Sequence, residues 1–300
     1  MYRNKKCYKS STKTLEEITP NTSKVIYKSN IYFCKTARPS RNPIKRLFLC
    51  NDIPSGFKNE IDINLELSKV NFRFLNYPKL IDVEGRHIYF DFIVGKTLTH
   101  ADFFVDENLV NAVYELNTCT EKLNRKKGLL RNIHRRNSFI VLSLLNKNLR
   151  RNGTKLTVKL VLLFLKLHLY QRKNDIDFLL HNDLHSNNIV FSDDKAFIID
   201  FEDATFERKW FLFDIVNVSF DKVSMEYNID AISKYIKLLK KHNILSDKSI
   251  IYALQMAFLR RSIKSLSSIE TTTNQKKKIL LFVKNFLTNK NYLYSLIESF

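Results

Sequence analysis

Leu179 to Phe206 reads LLHNDLHSNNIVFSDDKAFIIDFEDATF, and the order of its polar residues decides how the whole chain is read. His181 and Asp183 are followed five residues later by Asn188. Two apolar runs, Ile189 to Phe191 and Ala196 to Asp200, then flank the polar turn Ser192-Asp193-Asp194-Lys195, which predicts a hairpin. Such a hairpin folds Asp200 back toward Asn188. Phosphoryl transfer needs a carboxylate to orient a hydroxyl and take its proton, and oxygen ligands for a Mg²⁺ that bridges the phosphates. Asp183 fits the base, and Asn188 and Asp200 offer one neutral and one charged oxygen for the cation.

Upstream, the first 90 or so residues read as β-rich with one helix. Val25 to Tyr27 and Ile31 to Lys35 flank a polar turn, Lys28-Ser29-Asn30, and Arg46 to Cys50 is a further short apolar run. Lys58 to Val70 mixes Ile61, Leu65 and Leu67 with Glu60, Asp62, Asn64 and Glu66, the pattern of a short amphipathic helix. A second hairpin ends in HIYFDFIV, His87 to Val94, and closes on Gly95. From Thr97 the pattern becomes helical: Glu107 to Leu123, Ser138 to Leu149, Leu156 to Arg172, and the tail from Asp230. The third of these is apolar on so broad a face that it is expected to lie at the centre of its lobe.

The segment from His181 to Glu202, H-x-D-L-H-x-x-N-I followed by I-D-F-E, resembles the catalytic loop and metal aspartate of the protein-kinase-like superfamily. It is nearest the aminoglycoside phosphotransferase and choline kinase branch, with similarity to lipopolysaccharide kinases. The resemblance implies an α+β, two-lobed kinase-like fold: residues 1–94 as a β-rich, nucleotide-binding lobe, and 95–300 as a helical lobe with the catalytic loop and acceptor site. It implies ATP and Mg²⁺ as cofactors. It also implies a strand lysine on the phosphates, held by a helix glutamate, for which Lys35 and Glu60 stand in the right order; Lys45 competes with Lys35. Adenine would meet backbone groups at Asp91 and Ile93 in the hinge strand.

Departures from the family pattern narrow the function. Five glycines form neither G-x-G-x-x-G nor a P-loop, so Rossmann and P-loop folds are excluded in their usual form, and Lys28-Ser29-Asn30 occupies the first turn where a glycine-rich loop is expected. Asn182 replaces the usual glycine or arginine. Asp214, resembling a structural aspartate of the next helix, follows Asp200 by only 14 residues, which leaves no room for the activation segment on which protein kinases seat peptides. A small-molecule or glycolipid acceptor is therefore expected. His185 either positions Asp183, contacts the transferring phosphate or is structural, and Asp203 and Glu207 are either cation-binding or solvated.

Composition sets the remaining bounds. With 44% hydrophobic and 27% charged residues the chain reads as globular. Its net charge of +20 is concentrated between Glu121 and Lys173, where 15 Lys or Arg face one acid. That excess suggests an anionic sugar, a lipopolysaccharide core or an anionic membrane surface met by Arg125, Lys126, Lys127, Arg131, Arg135, Arg136, Arg150 and Arg151; a solvated face is the alternative. Nucleic-acid binding has the charge but no motif. Four scattered cysteines without C-x-x-C, no secretory leader and no apolar run of membrane-spanning length predict a cytoplasmic protein, peripheral at most to the inner membrane face. The second functional class is a catalytically weak kinase-like protein that binds nucleotide or an anionic surface.

Overall fold

The computed structural model describes residues 12–19, 22–36, 55–97, 105–121, 136–152, 154–170, 177–193, 195–207, 210–221, 224–242, 246–268 and 271–288. Its N-terminal part is an antiparallel sheet of β1 (Lys13–Thr19), β2 (Thr22–Tyr27), β3 (Asn30–Thr36), β4 (Leu80–Glu84) and β5 (His87–Asp91), in the order β1-β2-β3-β5-β4. Successive side chains of β5 point to opposite faces, as the pleat requires. Tyr89 stacks on Tyr27, ring centroids 4.1 Å apart, beside Val25 and Cys34. Ile88 and Phe90 face the other way and pack with Phe57 of α1 (Ser55–Leu67), the expected amphipathic helix.

Two local expectations need correcting. Tyr27 pairs directly with Asn30, so the β2–β3 turn is Lys28-Ser29 alone, with φ of 48° and 70°. Positive φ at both positions is the twist that joins antiparallel strands tightly, and Asp82 holds the Lys28 ammonium at 2.6 Å. This turn is the second of the sheet, because β1 precedes β2 and connects to it through residues 20–21. The sequence does not announce β1, since all seven of its residues are exposed and no buried face imposes alternation. The apolar run Arg46 to Cys50 lies outside the described residues.

The C-terminal part contains α2 (Glu107–Thr118), α3 (Arg136–Asn152), α4 (Thr154–Tyr170), α5 (Phe213–Val218), α6 (Ile229–Lys241), α7 (Asp247–Leu266) and α8 (Thr273–Thr288). It also contains β6 (Phe178–Leu180), paired with β9 (Thr205–Glu207), the expected hairpin of β7 (Ile189–Ser192) and β8 (Lys195–Ile198), and the short pair β10 (Phe220–Asp221) and β11 (Glu226–Tyr227). The central helix is α7, buried almost all round from Ile250 to Leu266. Helix α4 is not central: it buries Leu160, Phe164 and Leu167 but leaves Val158, Leu162 and Leu165 exposed. No helix among the described residues is long and apolar enough to cross a membrane.

Two seams join the sheet to the helices. Glu115 of α2 accepts the backbone N–H groups of Phe74 and Leu75, both at 2.8 Å, which fixes the segment between α1 and β4. Beyond β5, Lys96 and Phe191 exchange backbone hydrogen bonds of 3.0 and 2.9 Å, laying the hinge strand against β7. Gly95 permits this close approach, since a Cβ there would lie 2.3 Å from the Phe191 carbonyl oxygen. Gly95→Ala is expected to open this seam and lower stability by about 1–3 kcal/mol. Thermal unfolding checks this, and an unchanged melting temperature would refute the close-packing argument.

Candidate active site

Lys35 and Glu60 meet as the sequence order implied. The Lys35 ammonium donates to both Glu60 carboxylate oxygens, at 2.8 and 2.9 Å, and to Asp200 Oδ1 at 2.8 Å. Both partners of the first pair are buried, at 7% and 2% exposure. Burial works against the lysine charge, but Glu60 and Asp200 outweigh it and hold the amine above the usual lysine range. Burial pushes the Glu60 carboxyl up, and Lys35 is the charge that opposes it. Next to Glu60, Asn59 donates to the carbonyls of Glu202 and Ala204, at 3.1 and 2.7 Å, so α1 also grips the turn after Asp200.

The β7–β8 hairpin brings the other expected residues together. Ile189 pairs with Ile198, and the Ile199 N–H donates to the Asn188 carbonyl at 3.0 Å, so Asp200 begins one residue beyond the ladder. Asn188 Nδ2 donates to the Asp183 carbonyl at 2.9 Å, which commits the amide nitrogen and leaves the amide oxygen as ligand atom. Carboxylate oxygens of Glu60, Asp200 and Glu202 also converge within 4.8 Å. Lys35 already sits among these three carboxylates, at 2.8 Å from Glu60, 2.8 Å from Asp200 and 3.8 Å from Glu202, so the oxygens that suit a hard divalent cation such as Mg²⁺ are those of the Asn188 amide and Asp200.

A buried carboxylate supports the loop from behind. Asp214, in the first turn of α5 and fully buried, accepts the backbone N–H groups of His181 at 2.7 Å and Asn182 at 2.9 Å, and the Asn117 amide at 3.0 Å. Asn182 has a φ of 67° and Asp200 of 68°, left-handed values that Asn and Asp tolerate best after glycine. That accounts for Asn182 where glycine is common. Its side chain donates to Asp203 O and Thr205 Oγ1 and accepts from Arg260 at 3.0 Å. His181 Nε2 lies 2.8 Å from the Ile199 carbonyl, tying the loop to the strand before Asp200.

Asp183 has two cationic or polar neighbours. Lys264 donates to its Oδ1 at 2.7 Å, and His185 Nε2 stands 3.5 Å from its Oδ2. Burial would raise this carboxyl, but His185 and Lys264 outweigh it and hold it well below the usual carboxylate range. Of the roles open to His185, the geometry contains two: the contact with Asp183, and a structural one in which Nδ1 accepts the Asn187 N–H at 3.2 Å and caps the turn that follows. Lys264, Arg260 and Arg261 are absent from the sequence reading. Their signal is present in ALQMAFLRRSIKSL, Ala253 to Leu266, where charges interrupt a helix otherwise apolar on every side, but which loop they face is a tertiary fact.

The remaining expected residues are less closely engaged. Asp91 donates its N–H to the Lys79 carbonyl at 3.0 Å, so an adenine can meet Asp91 only through its own carbonyl; Ile93 is half-buried just beyond. Glu207 is buried in β9 rather than solvated, and Asp203 is half-buried. Arg150 and Arg151 are exposed at the end of α3, whereas Lys45, Arg125, Lys126, Lys127, Arg131 and Arg135 lie outside the described residues, as does the Arg136 side chain.

A model of the phosphotransferase enzyme family matches residues 152–237, the stretch that holds the loop, the hairpin and Asp214. The expected resemblance is borne out. The match covers under a third of the chain and, within it, supports the kinase class expected from the sequence, with an alcohol group as acceptor. No curated protein matches the chain in sequence. Similar folds include the streptomycin–ATP ternary complex of APH(2")-IIa, at 13% identity over 92% of this chain and 93% of that one, TM-score 0.57. A microcompartment-associated aminopropanol kinase is 14% identical over 96% and 94%, TM-score 0.57. Choline kinase from Cryptosporidium parvum Iowa II is 14% identical over 95% and 90%, TM-score 0.56. These likenesses establish the two-lobed kinase-like fold, a β-sheet part followed by a helical part.

Asp214→Ala is expected to orphan two buried backbone donors and the Asn117 amide, at about 1–3 kcal/mol for each unsatisfied group. Urea unfolding measures the sum. A loss under about 1 kcal/mol would show that the carboxylate does not anchor the loop.

Proposed function

We propose that the chain is an ATP- and Mg²⁺-dependent kinase that transfers the γ-phosphate to a hydroxyl of a small molecule or glycan. The observation that carries this reading is the buried Lys35–Glu60 pair placed 2.8 Å from Asp200, on the same hairpin as Asn188 and the Asp183 loop. Lobe division at 94/95, nucleotide contacts at Asp91 and Ile93, and phosphate binding by Lys35 belong to the same proposal. ATP is supported by its presence in the APH(2")-IIa ternary complex. The acceptor class is supported by the aminopropanol and choline kinases among similar folds, and the local charge favours an anionic sugar or glycolipid such as a lipopolysaccharide core within it. Peripheral contact with an anionic membrane surface rests on exposed Arg150 and Arg151 with their basic neighbours in sequence.

In this reading Asp183 accepts the proton of the acceptor hydroxyl as its oxygen bonds to the γ-phosphorus and the bond to the β-phosphate oxygen breaks, releasing ADP. Lys35 holds the phosphates and Glu60 fixes the lysine. A bound Mg²⁺ neutralises charge on the phosphates, and Asn188 and Asp200 are the residues that would hold it. His181 and Asp214 keep the loop in register with Asp200.

Asp183→Asn is expected to retain ATP binding while transfer slows by roughly 10²-fold or more; single-turnover transfer at an unchanged rate would remove Asp183 from the role of base. Asp200→Ala removes the charged ligand and is expected to abolish the metal-dependent part of nucleotide affinity. Calorimetry with Mg-ATP tests this, and wild-type affinity in the variant would reassign the metal site.

A further inference from the structure

Beside the Asp183 loop, a cleft of about 270 Å³ opens between β10, the last turns of α7 and the start of α8, lined by Phe220, Met225, Arg261, Lys264, Thr271, Gln275 and two serines. Two cations and several neutral polar side chains line it and, among the described residues, no carboxylate does. Lys264 belongs to this lining and reaches Asp183 Oδ1, so the cleft lies one side chain from the expected base. Arg261 is 4% exposed, donates to Asn217 Oδ1 at 3.0 Å and lies over the Phe220 ring at 4.3 Å. Its Nε–H has no hydrogen-bond partner, and among the described residues no carboxylate pairs with it. Burial pulls this guanidinium below the usual arginine range, and Tyr227 and Asp183, the charges that oppose it, do not make up the loss.

We propose that this cleft receives an oxyanion, a carboxylate or phosphate carried by the acceptor, which Arg261 and Lys264 bind while an acceptor hydroxyl meets Asp183. The proposal rests on the phosphotransferase reading and specifies its acceptor. Gentamicin-like amines and choline present the opposite charge, and a cleft whose described lining holds Arg261 and Lys264 and no acid disfavours them. Ordering follows from the contact already made. Lys264 occupies one of the two Asp183 carboxylate oxygens, and an acceptor anion competes for that ammonium. Recognition of the anion thereby frees that oxygen for the acceptor hydroxyl. Gln275 completes the set with a neutral amide donor suited to a remaining anion oxygen, and the Thr271 hydroxyl, which donates to the Ser265 carbonyl at 2.7 Å, can accept from an acceptor hydroxyl.

The experiment uses the full chain and four probes: glucose 6-phosphate, glycerate, glucose and glucosamine. Mg-ATP affinity is measured first by calorimetry, then probe affinity in the presence of a non-hydrolysable ATP analogue, and ADP release with ATP. The proposal expects glucose 6-phosphate or glycerate to bind about tenfold or more tightly than glucose and glucosamine, as charge-assisted hydrogen bonds imply. Which of the two anions binds separates a phosphate from a carboxylate. Lys264→Gln, on the cleft rim, is expected to erase the difference without changing Mg-ATP affinity; Arg261→Lys, which keeps the buried charge, is expected to reduce it. Equal affinity for all four probes, preference for glucosamine, or an anion preference that survives both substitutions overturns the proposal. Failure to bind Mg-ATP instead overturns the phosphotransferase reading on which it stands.

Discussion

Asp214 carries a load out of proportion to its size. Two consecutive backbone N–H groups, those of His181 and Asn182, end on its two carboxylate oxygens, and Asn117 shares one of them. Asn117 in turn donates to the Leu179 carbonyl and accepts from the Tyr235 hydroxyl. The loop that presents Asp183 is thus fixed by polar contacts drawn from α2, α5 and α6 within an apolar interior. Unsatisfied, these groups would each cost free energy in such surroundings; satisfied, they allow a single loop position. The left-handed Asn182 is affordable only because its side chain is held at both ends.

From that fixed loop the geometry propagates through backbone rather than through long side chains. Asn188 and Ile199 close the hairpin, His181 reaches the Ile199 carbonyl, and Asp200 emerges in a left-handed conformation facing Lys35. The sheet and the helices consequently meet at charge: Lys35 of β3, Glu60 of α1 and Asp200 after β8. Two carboxylates from two elements share one ammonium, and the buried Lys35 and Glu60 would each be destabilised if the other moved away. Asn59 adds a neutral tie from the same helix. Arg260 and Lys264 of α7 reach the loop at Asn182 and Asp183, with Arg261 beside them, a set of cations separate from the basic stretch before it.

How much of this was legible varied with the range of the interaction. The hairpin after Asn188 could be read because its apolar alternation and polar turn are adjacent in sequence. The helix carrying Glu60 could be read because periodicity is local. Strand β1 could not, since an edge strand whose residues are all exposed carries no burial pattern. The misplacement of the central helix has a related cause. Apolar content made α4 look buried, but α7 lies inside because its arginines and polar residues find partners there, a compensation that composition does not record.

By itself the sequence determined the chemistry on offer: a carboxylate, an amide and a second carboxylate at fixed spacing around a short hairpin, with a lysine and a glutamate ahead of them in order. Those are properties of residue type and of neighbours along the chain, where a few backbone hydrogen bonds suffice to set position. Only the tertiary structure decided which charges face Asp183, that Lys264 occupies one of its oxygens, and that Arg261 and Lys264 share the nearby cleft. Lys264 is 81 residues from Asp183, and the packing of α7 against α5 and its neighbouring helices is what brings the two charges together.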